Sequence, residues 1–161
     1  MLFNDIPGQT KLKENLLANM AIGRLPHAVL LEGNVGFGSL AMGMAIAQYL
    51  LCDNPTANDS CGKCPHCTKN EKLVHPDVHF TFPTVGSKMK SDHFIKEWRE
   101  SVINNPFISL RDWMDVLKAE NKLPNITKDE CQNIIRKLNL KAFAGKKKVQ
   151  IIYLAEYLGK E

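Results

Sequence analysis

Four of the five cysteines lie within sixteen residues, at a spacing that suits a metal ion. They are Cys52, Cys61, Cys64 and Cys67, in the pattern Cys-x8-Cys-x2-Cys-x2-Cys. Gly62 and Pro65 favour tight turns that bring several sulfurs to one ion. A tetrahedral site of four thiolates is typical of structural zinc, because it leaves no open position for water or substrate. The sequence therefore predicts a structural zinc site, with an iron–sulfur cluster as the main alternative and disulfides as a weaker one.

The remaining histidines and cysteine receive no metal role from their spacing. His66 stands between two of the clustered cysteines and could replace one ligand, but its position favours a ring that points to solvent. Cys131 falls inside a predicted helix and is interpreted as a small buried residue. His75, His79 and His93 have no ligand-like spacing and stay unassigned.

A glycine-rich turn lies between a predicted strand and an apolar helix. Gly33 and Gly38 have the spacing of the pattern Gly-x4-Gly-Lys-Ser/Thr, whose backbone N–H groups hold phosphates at a helix N-terminus. Ser39 and Leu40 replace the lysine and the Mg²⁺-binding hydroxyl, so the chemistry of phosphoryl transfer is missing. The candidate residues of this degenerate loop are Gly33, Asn34, Val35, Gly36, Phe37, Gly38 and Ser39. A plain glycine turn is favoured over residual binding of ATP or ADP.

A second position needed for ATP hydrolysis is also altered. A working phosphate loop requires an acidic residue at the end of a neighbouring strand, where it positions Mg²⁺. The apolar run that begins at Val149 leads to Tyr153 and Leu154 where an Asp-Glu pair is expected. Glu156 is the nearest acid, and a solvated helix-start residue is the favoured interpretation of it. No intrinsic ATPase activity and no catalytic residue are expected.

The elements that position these residues alternate between helices and strands. Periodicity predicts helices over 8–22, 40–51, 92–104 and 109–121, and strands over 27–32, 78–82 and 149–154. A last helix is predicted to open at Thr127, in a segment that Gly145 closes. Thr127 and Glu130 form a capping-box pattern for the last helix, with Ile134, Ile135 and Leu138 facing inward. Trp98 and Trp113 are expected in the core. This order predicts an α/β fold with a parallel sheet flanked by helices.

Composition narrows the classes of protein that the chain can represent. It has 161 residues, 44% of them hydrophobic and 24% charged, which suits one globular domain and excludes a disordered tail. The net charge of +4 is too small to indicate a nucleic-acid partner, and Lys141 with Lys146, Lys147 and Lys148 is interpreted as a solvated turn. No apolar run is long enough to cross a membrane, and no secretory signal is present, so a cytoplasmic location is expected.

Several local motifs together resemble one known family. The opening Asp5-Ile6-Pro7-Gly8-Gln9, the approach Arg24-Leu25-Pro26-His27-Ala28 and the triplet His75-Pro76-Asp77 all have counterparts there. The cysteine-rich segment follows the phosphate-loop helix, and 134–152 resembles the stretch that ends at the family's acid-bearing strand. By these residues the chain resembles the N-terminal P-loop (AAA+) domain of bacterial DNA polymerase III clamp-loader subunits.

The resemblance implies a domain organisation and a role. Residues 1–161 would form an incomplete AAA+ domain, with a zinc-binding insert at 52–67 and a helical insertion at 84–126, where the chain is longer than the family's connection. Ser39, Leu40 and Tyr153 place the chain with the non-hydrolysing delta-prime branch rather than with the gamma or tau ATPases. The implied role is that of a stator in the ring that loads the sliding clamp onto primed DNA.

The resemblance also implies the partners. They are the gamma/tau and delta subunits of the loader, with the sliding clamp and primer–template DNA reached through the assembly, and no membrane. The arginine finger, lid and collar would lie beyond Glu161, so the chain is expected to be a fragment with unpaired strand edges and a tendency to self-associate. The alternatives are an active gamma/tau-like ATPase and a stand-alone zinc-containing DNA-binding protein.

Overall fold

The computed structural model describes residues 1–86, 88–119 and 121–159 of the chain. The helices are α1 (Thr10–Ala21), α2 (Ser39–Leu51), α3 (Pro65–Glu71), α4 (Ile95–Asn104), α5 (Leu110–Val116) and α6 (Lys128–Asn139). The strands are β1 (Val78–Thr81) and β2 (Val149–Ile152), and short 3-10 turns occupy Phe3–Asp5, Ser91–Phe94 and Ala155–Tyr157. The predicted α/β class is confirmed.

The two strands pair in parallel. Val78 lies opposite Val149 and Thr81 lies opposite Ile152. Beyond each end of this ladder, the Val149 N–H donates to the Asp77 carbonyl and the Tyr153 N–H donates to the Thr81 carbonyl. The strands predicted over 78–82 and 149–154 are confirmed, each a little shorter than expected.

The strand predicted over 27–32 is wrong. This segment has no strand structure in the described part of the chain, and Val29 and Leu30 leave 43% and 79% of their surface exposed. A strand needs a neighbour to take up its backbone hydrogen bonds. Among the described residues the sheet contains β1 and β2 alone, and the segment pairs with neither of them. The apolar run is therefore present without the partner that would make it a strand.

The core is organised around α2, which is apolar on every side. Leu40, Met44 and Leu51 pack into the larger cluster beside β1 and α4, while Met42 and Ile46 pack against α1 in the smaller one. A helix that is hydrophobic all round is expected to be buried between layers. This helix begins at the glycine turn and ends at the first cysteine, so both candidate sites are anchored to the core.

The helices of the segment 84–126 contribute directly to that core. Trp98 in α4 and Trp113 in α5 are fully buried, which confirms the core prediction for both residues. The Trp98 ring stacks on Phe82 with centroids 4.2 Å apart, and the Trp113 indole N–H donates to the Pro83 carbonyl at 2.8 Å. The helix predicted over 109–121 ends at Val116 in the structure, and its predicted end runs through Glu120, which lies outside the described residues.

In α6 the capping prediction is partly confirmed and the inward-facing set is partly wrong. Thr127 caps the helix by accepting from the Glu130 N–H, but the Glu130 carboxylate turns inward and accepts from the Thr81 hydroxyl. Ile134 is buried, whereas Ile135 and Leu138 are 60% and 46% exposed. Glu130 and Ile134 lie one turn apart and share the face that packs inward. Ile135 lies on the neighbouring face, and Leu138 continues the inward face only in the last turn of α6, which ends at Asn139.

None of the helices in the described residues is both long enough and apolar enough to cross a membrane.

Candidate metal centre and phosphate loop

The four clustered cysteines converge on one point. Cys52 follows α2 in extended conformation, Cys64 is the N-cap of α3, and Cys67 lies in the first turn of α3. Cys61 precedes Gly62, whose φ of +69° belongs to the left-handed region that favours glycine. All four sulfurs lie within 4.8 Å of one another, and those of Cys61 and Cys67 are 3.9 Å apart.

This arrangement fits the geometry of a tetrahedral metal site. Zinc–sulfur bonds of about 2.3 Å place the sulfurs of a regular tetrahedron about 3.8 Å apart. Backbone N–H groups also point at the sulfurs: Cys61 donates to Cys52 at 3.3 Å, and Cys64 donates to Cys61 at 3.4 Å. Such donors favour thiolate, the form that binds metal. The four-sulfur donor set therefore fits zinc.

The thiols differ in how easily they ionise without a cation. The backbone N–H groups of Lys63 and Cys64 lower the pKa of the Cys61 thiol to about 6. Burial raises the pKa of the Cys67 and Cys52 thiols above the usual range. Four adjacent thiolates would repel one another, and a bound cation removes that penalty. The four cysteines would therefore ionise more readily around a bound cation than without one.

Polar contacts hold the cysteine-rich segment against the rest of the fold. The buried Asp59 carboxylate accepts from the backbone N–H groups of Phe3 at 3.1 Å and Asn4 at 3.0 Å. The Gln48 amide of α2 donates to the Ser60 hydroxyl at 2.9 Å. No spacing rule in the sequence singles out these residues, because their partners lie far away along the chain.

The prediction that His66 points to solvent is wrong. Its side chain is only 16% exposed, and its Nδ1 lies 2.7 Å from Nε2 of His75. Its Nε2 lies 3.5 Å from the carboxylate of Asp53. Since both ring nitrogens have partners outside the sulfur cluster, His66 is not positioned as a fifth donor. His75, which the sequence left unassigned, is the buried residue that holds it.

The glycine turn leads into α2 through two glycines in the left-handed region. Gly36 and Gly38 have φ of +85° and +83°, and Gly38 is the N-cap of α2. A side chain at Gly38 would come within 2.9 Å of the Phe107 ring, so that position accepts glycine only. Val35 and Phe37 at the tip are 78% and 59% exposed.

The side chains around this turn are mostly apolar. Leu40, at the position of the Mg²⁺-binding hydroxyl, is buried in the larger core cluster. The cavity beside the turn has a volume of about 160 Å³ and is lined mostly by apolar residues, among them Leu12, Leu30 and Phe37. Pockets for small molecules usually measure about 300–1,000 Å³.

The end of β2 carries a core aromatic residue in place of an acid. Tyr153 is buried, and its hydroxyl donates to the Ile108 carbonyl at 2.6 Å. Burial raises the pKa of the Tyr153 hydroxyl to about 12. Glu156 is exposed in the 3-10 turn that follows the strand, as the interpretation of a solvated residue expects.

Comparison with known proteins adds an independent finding. A family model described as DNA polymerase III, delta subunit, matches residues 8–161. The chain is 33% identical over 89 residues to DNA polymerase III subunit delta' of Escherichia coli (strain K12), which covers 55% of this chain and 27% of that protein. It is 34% identical over 76 residues to DNA polymerase III subunit gamma of Buchnera aphidicola subsp. Acyrthosiphon pisum (strain APS), covering 47% of this chain and 21% of the relative.

A third relative extends the same pattern. DNA polymerase III subunit tau of Salmonella typhimurium is 30% identical over 70 residues, or 44% of this chain and 11% of that protein. The matched part thus spans about a quarter or less of each of these relatives.

Proposed function

Since this chain belongs to the DNA polymerase III delta subunit family, we propose that it serves as a delta-prime-type subunit of the clamp loader that does not hydrolyse ATP. In this role it is a rigid member of a hetero-oligomeric ring, beside gamma/tau-type and delta-type subunits. The ring as a whole acts on the sliding clamp and on primer–template DNA.

The observation that carries the non-hydrolysing assignment is the burial of Leu40 and Tyr153. Both stand at positions where an ATPase of this architecture needs a polar ligand for Mg²⁺, and both are packed into one hydrophobic cluster. Mg²⁺ requires oxygen ligands, which the Leu40 side chain lacks, and the Tyr153 hydroxyl is buried on the Ile108 carbonyl. The small cavity at the glycine turn supports the same proposal.

The cysteine cluster supports a structural metal as part of this subunit. We assign zinc to Cys52, Cys61, Cys64 and Cys67, because four converging thiolates leave no open coordination position for chemistry. When bound, the ion would contribute folding energy to residues 52–67 and take no part in a reaction.

Exposed apolar residues support assembly with other proteins. Ile135, Leu138, Leu140 and Phe143 are between 46% and 87% exposed. Within residues 131–148, which contain them, six side chains are basic and none is acidic. Large apolar side chains that stay exposed on a soluble fold mark surfaces that other proteins cover.

The experiment that tests the proposal is native mass spectrometry of the full-length gene product mixed with the loader ATPase subunits of the same cell. The expected result is a stable hetero-oligomer with one copy of this subunit carrying one zinc ion. A subunit that stays alone under conditions where the ATPase subunits assemble would overturn the clamp-loader role.

The second candidate function is an active gamma/tau-like ATPase, because some of the relatives are named gamma and tau. ATP turnover by the isolated full-length protein discriminates between the two. Turnover above background that is lost on changing Gly38 but survives Glu156→Ala would favour an unusual ATPase site. If the isolated protein shows no turnover and also assembles with the other subunits, the delta-prime-type role is favoured.

A further inference from the structure

A row of polar groups connects the cysteine-rich segment to the start of β1. Asp53 follows the first cysteine, His66 lies in α3 between two others, and His75 precedes β1. The contacts run from Asp53 to His66 at 3.5 Å and from His66 to His75 at 2.7 Å. They continue through the Asp77 N–H, which donates to His75 Nδ1 at 3.1 Å. The row crosses from the candidate metal centre to the core without touching a sulfur.

The direction of each hydrogen bond follows from that last contact. In a neutral imidazole one ring nitrogen donates and the other accepts. Because His75 Nδ1 accepts from the Asp77 N–H, its proton is on Nε2, which donates to His66 Nδ1. The proton of His66 is then on Nε2, facing the Asp53 carboxylate. Burial lowers the pKa of His75, which agrees with a neutral ring.

The inner end of the row is held firmly. His75 is 3% exposed and Asp77 is 1% exposed. The Asp77 carboxylate accepts three backbone N–H groups, from Phe143, Ala144 and Gly145, at 2.5 to 2.7 Å. The Asp77 carbonyl accepts in turn from the first residue of β2. His75 is thus supported by a segment whose own position is fixed by the sheet.

The outer end of the row is an element that needs such support. Helix α3 has seven residues, too few to be stable without tertiary contacts. Cys64 caps it and Cys67 lies in its first turn, so the rotation of that turn sets where both sulfurs point. His66 is in the same turn. A hydrogen bond that holds its ring also holds the two neighbouring sulfurs.

We propose that His75 is a positioning residue for the metal centre, which through His66 orients the first turn of α3 so that Cys64 and Cys67 face the ion. This inference rests on the proposed zinc site and deepens it. Groups that orient metal ligands from outside the coordination shell typically change metal affinity 10- to 100-fold. His75 contacts His66 and not a ligand itself, so its removal is expected to weaken zinc affinity about tenfold, at the low end of that range.

The test uses His75→Asn in the full-length protein. The Asn carbonyl can still accept from the N–H two residues ahead, as in an Asx turn, so the local role of His75 is kept. The donor that reaches His66 is lost. Zinc affinity is measured by competition with a chromophoric chelator, and the cobalt-substituted protein supplies the ligand-field spectrum. Two further variants complete the set: His75→Gln, which keeps an N–H donor, and His93→Asn, which removes a histidine with a similar backbone contact in the 3-10 turn before α4.

The expected result for His75→Asn is about tenfold weaker zinc binding with an unchanged cobalt spectrum and unchanged urea unfolding of the zinc-saturated protein. His75→Gln should recover part of the affinity, and His93→Asn should bind zinc as the wild type does. Adding His66→Ala to His75→Asn should cost less than the sum of the two single changes, because both remove the contact between His66 and His75.

Two outcomes overturn the inference. In the first, the wild-type protein binds one zinc ion and His75→Asn binds it equally well. In the second, His66→Ala changes the cobalt spectrum, because His66 would then be a ligand. A wild-type protein that binds no zinc at all would instead remove the proposed metal centre, and the two failures are thereby distinguished.

Discussion

The Tyr153 hydroxyl donates a 2.6 Å hydrogen bond to the backbone carbonyl of Ile108. This contact joins the end of β2 to the loop between α4 and α5, 45 residues earlier in the chain. The Tyr153 ring lies 5.3 Å from that of Trp98, between centroids. The strand end that bears an acid in an ATPase is here a packing point for the helical segment 84–126.

Tyr153→Phe is expected to lower the free energy of unfolding by about 1 kcal/mol, because the Ile108 carbonyl loses its donor in a buried site. Urea unfolding of the full-length protein measures the difference. Tyr157→Phe, in the turn that follows, is the matched control and should change little. An unchanged midpoint for Tyr153→Phe would mean that water replaces the hydroxyl.

Removal of zinc with a strong chelator is expected to speed amide hydrogen exchange in residues 52–71 and to leave β1 and β2 protected, since the thiolates are ordered by the ion. Cys61→Ser should abolish stoichiometric zinc binding. Cys131→Ser, which changes a half-buried cysteine of α6 outside the cluster, should retain one ion. Equal exchange of 52–71 with and without chelator would contradict a structural metal.

Asp77 is expected to make the protein sensitive to acid. Burial raises the pKa of this carboxyl, but the three N–H donors from 143–145 lower it by more, so the folded pKa lies below the unfolded value of about 3.9. The stabilisation is therefore present above about pH 4 and is lost as the pH falls through the folded pKa.

Asp77→Asn should accordingly cost about 2 kcal/mol of unfolding free energy at pH 7, because the three donors lose their charged acceptor. The difference from wild type should shrink when unfolding is measured at progressively lower pH. A difference that stays constant from pH 7 to pH 3 would show that the charge of Asp77 is not what stabilises the loop.

Restoring the missing phosphate-loop side chains should not create an ATPase. Leu40→Thr places a hydroxyl in the apolar core and is expected to lower the unfolding free energy by about 2 kcal/mol or more. The double change Ser39→Lys with Leu40→Thr should show no ATP turnover, since Tyr153 still occupies the strand end. Ser39→Lys alone, at a half-buried position, is the stability control. Turnover by the double variant would contradict the role given to Tyr153.

The parts of the fold that the sequence predicted are those with local causes. The helix after Thr127 begins there because a hydroxyl accepts from an N–H three residues later. Cys61, Cys64 and Cys67 converge because turns at Gly62 and Pro65 leave only two residues between each consecutive pair. The residues that determine the helix start and the cysteine turns lie close together in the sequence.

The parts that the sequence did not predict depend on distant partners. Residues 27–32 have the composition of a strand, but pairing decides whether they become one. Ile134, Ile135 and Leu138 form one apolar stripe in the sequence pattern of α6. The pattern does not determine which of these side chains is buried against the rest of the fold. The His66 ring points inward because it contacts His75, which is nine residues later in the chain and is positioned by β1.

The contact between Asp59 and the N–H of Phe3 also bears on the order in which the protein forms during synthesis. The two residues are 56 positions apart. At about 5–20 residues per second, Asp59 is added about 3 to 11 seconds after Phe3. The N–H groups of Phe3 and Asn4 are made early and lack this acceptor until the cysteine-rich segment has been translated. These two N–H groups therefore gain their acceptor only after the cysteine-rich segment has been made.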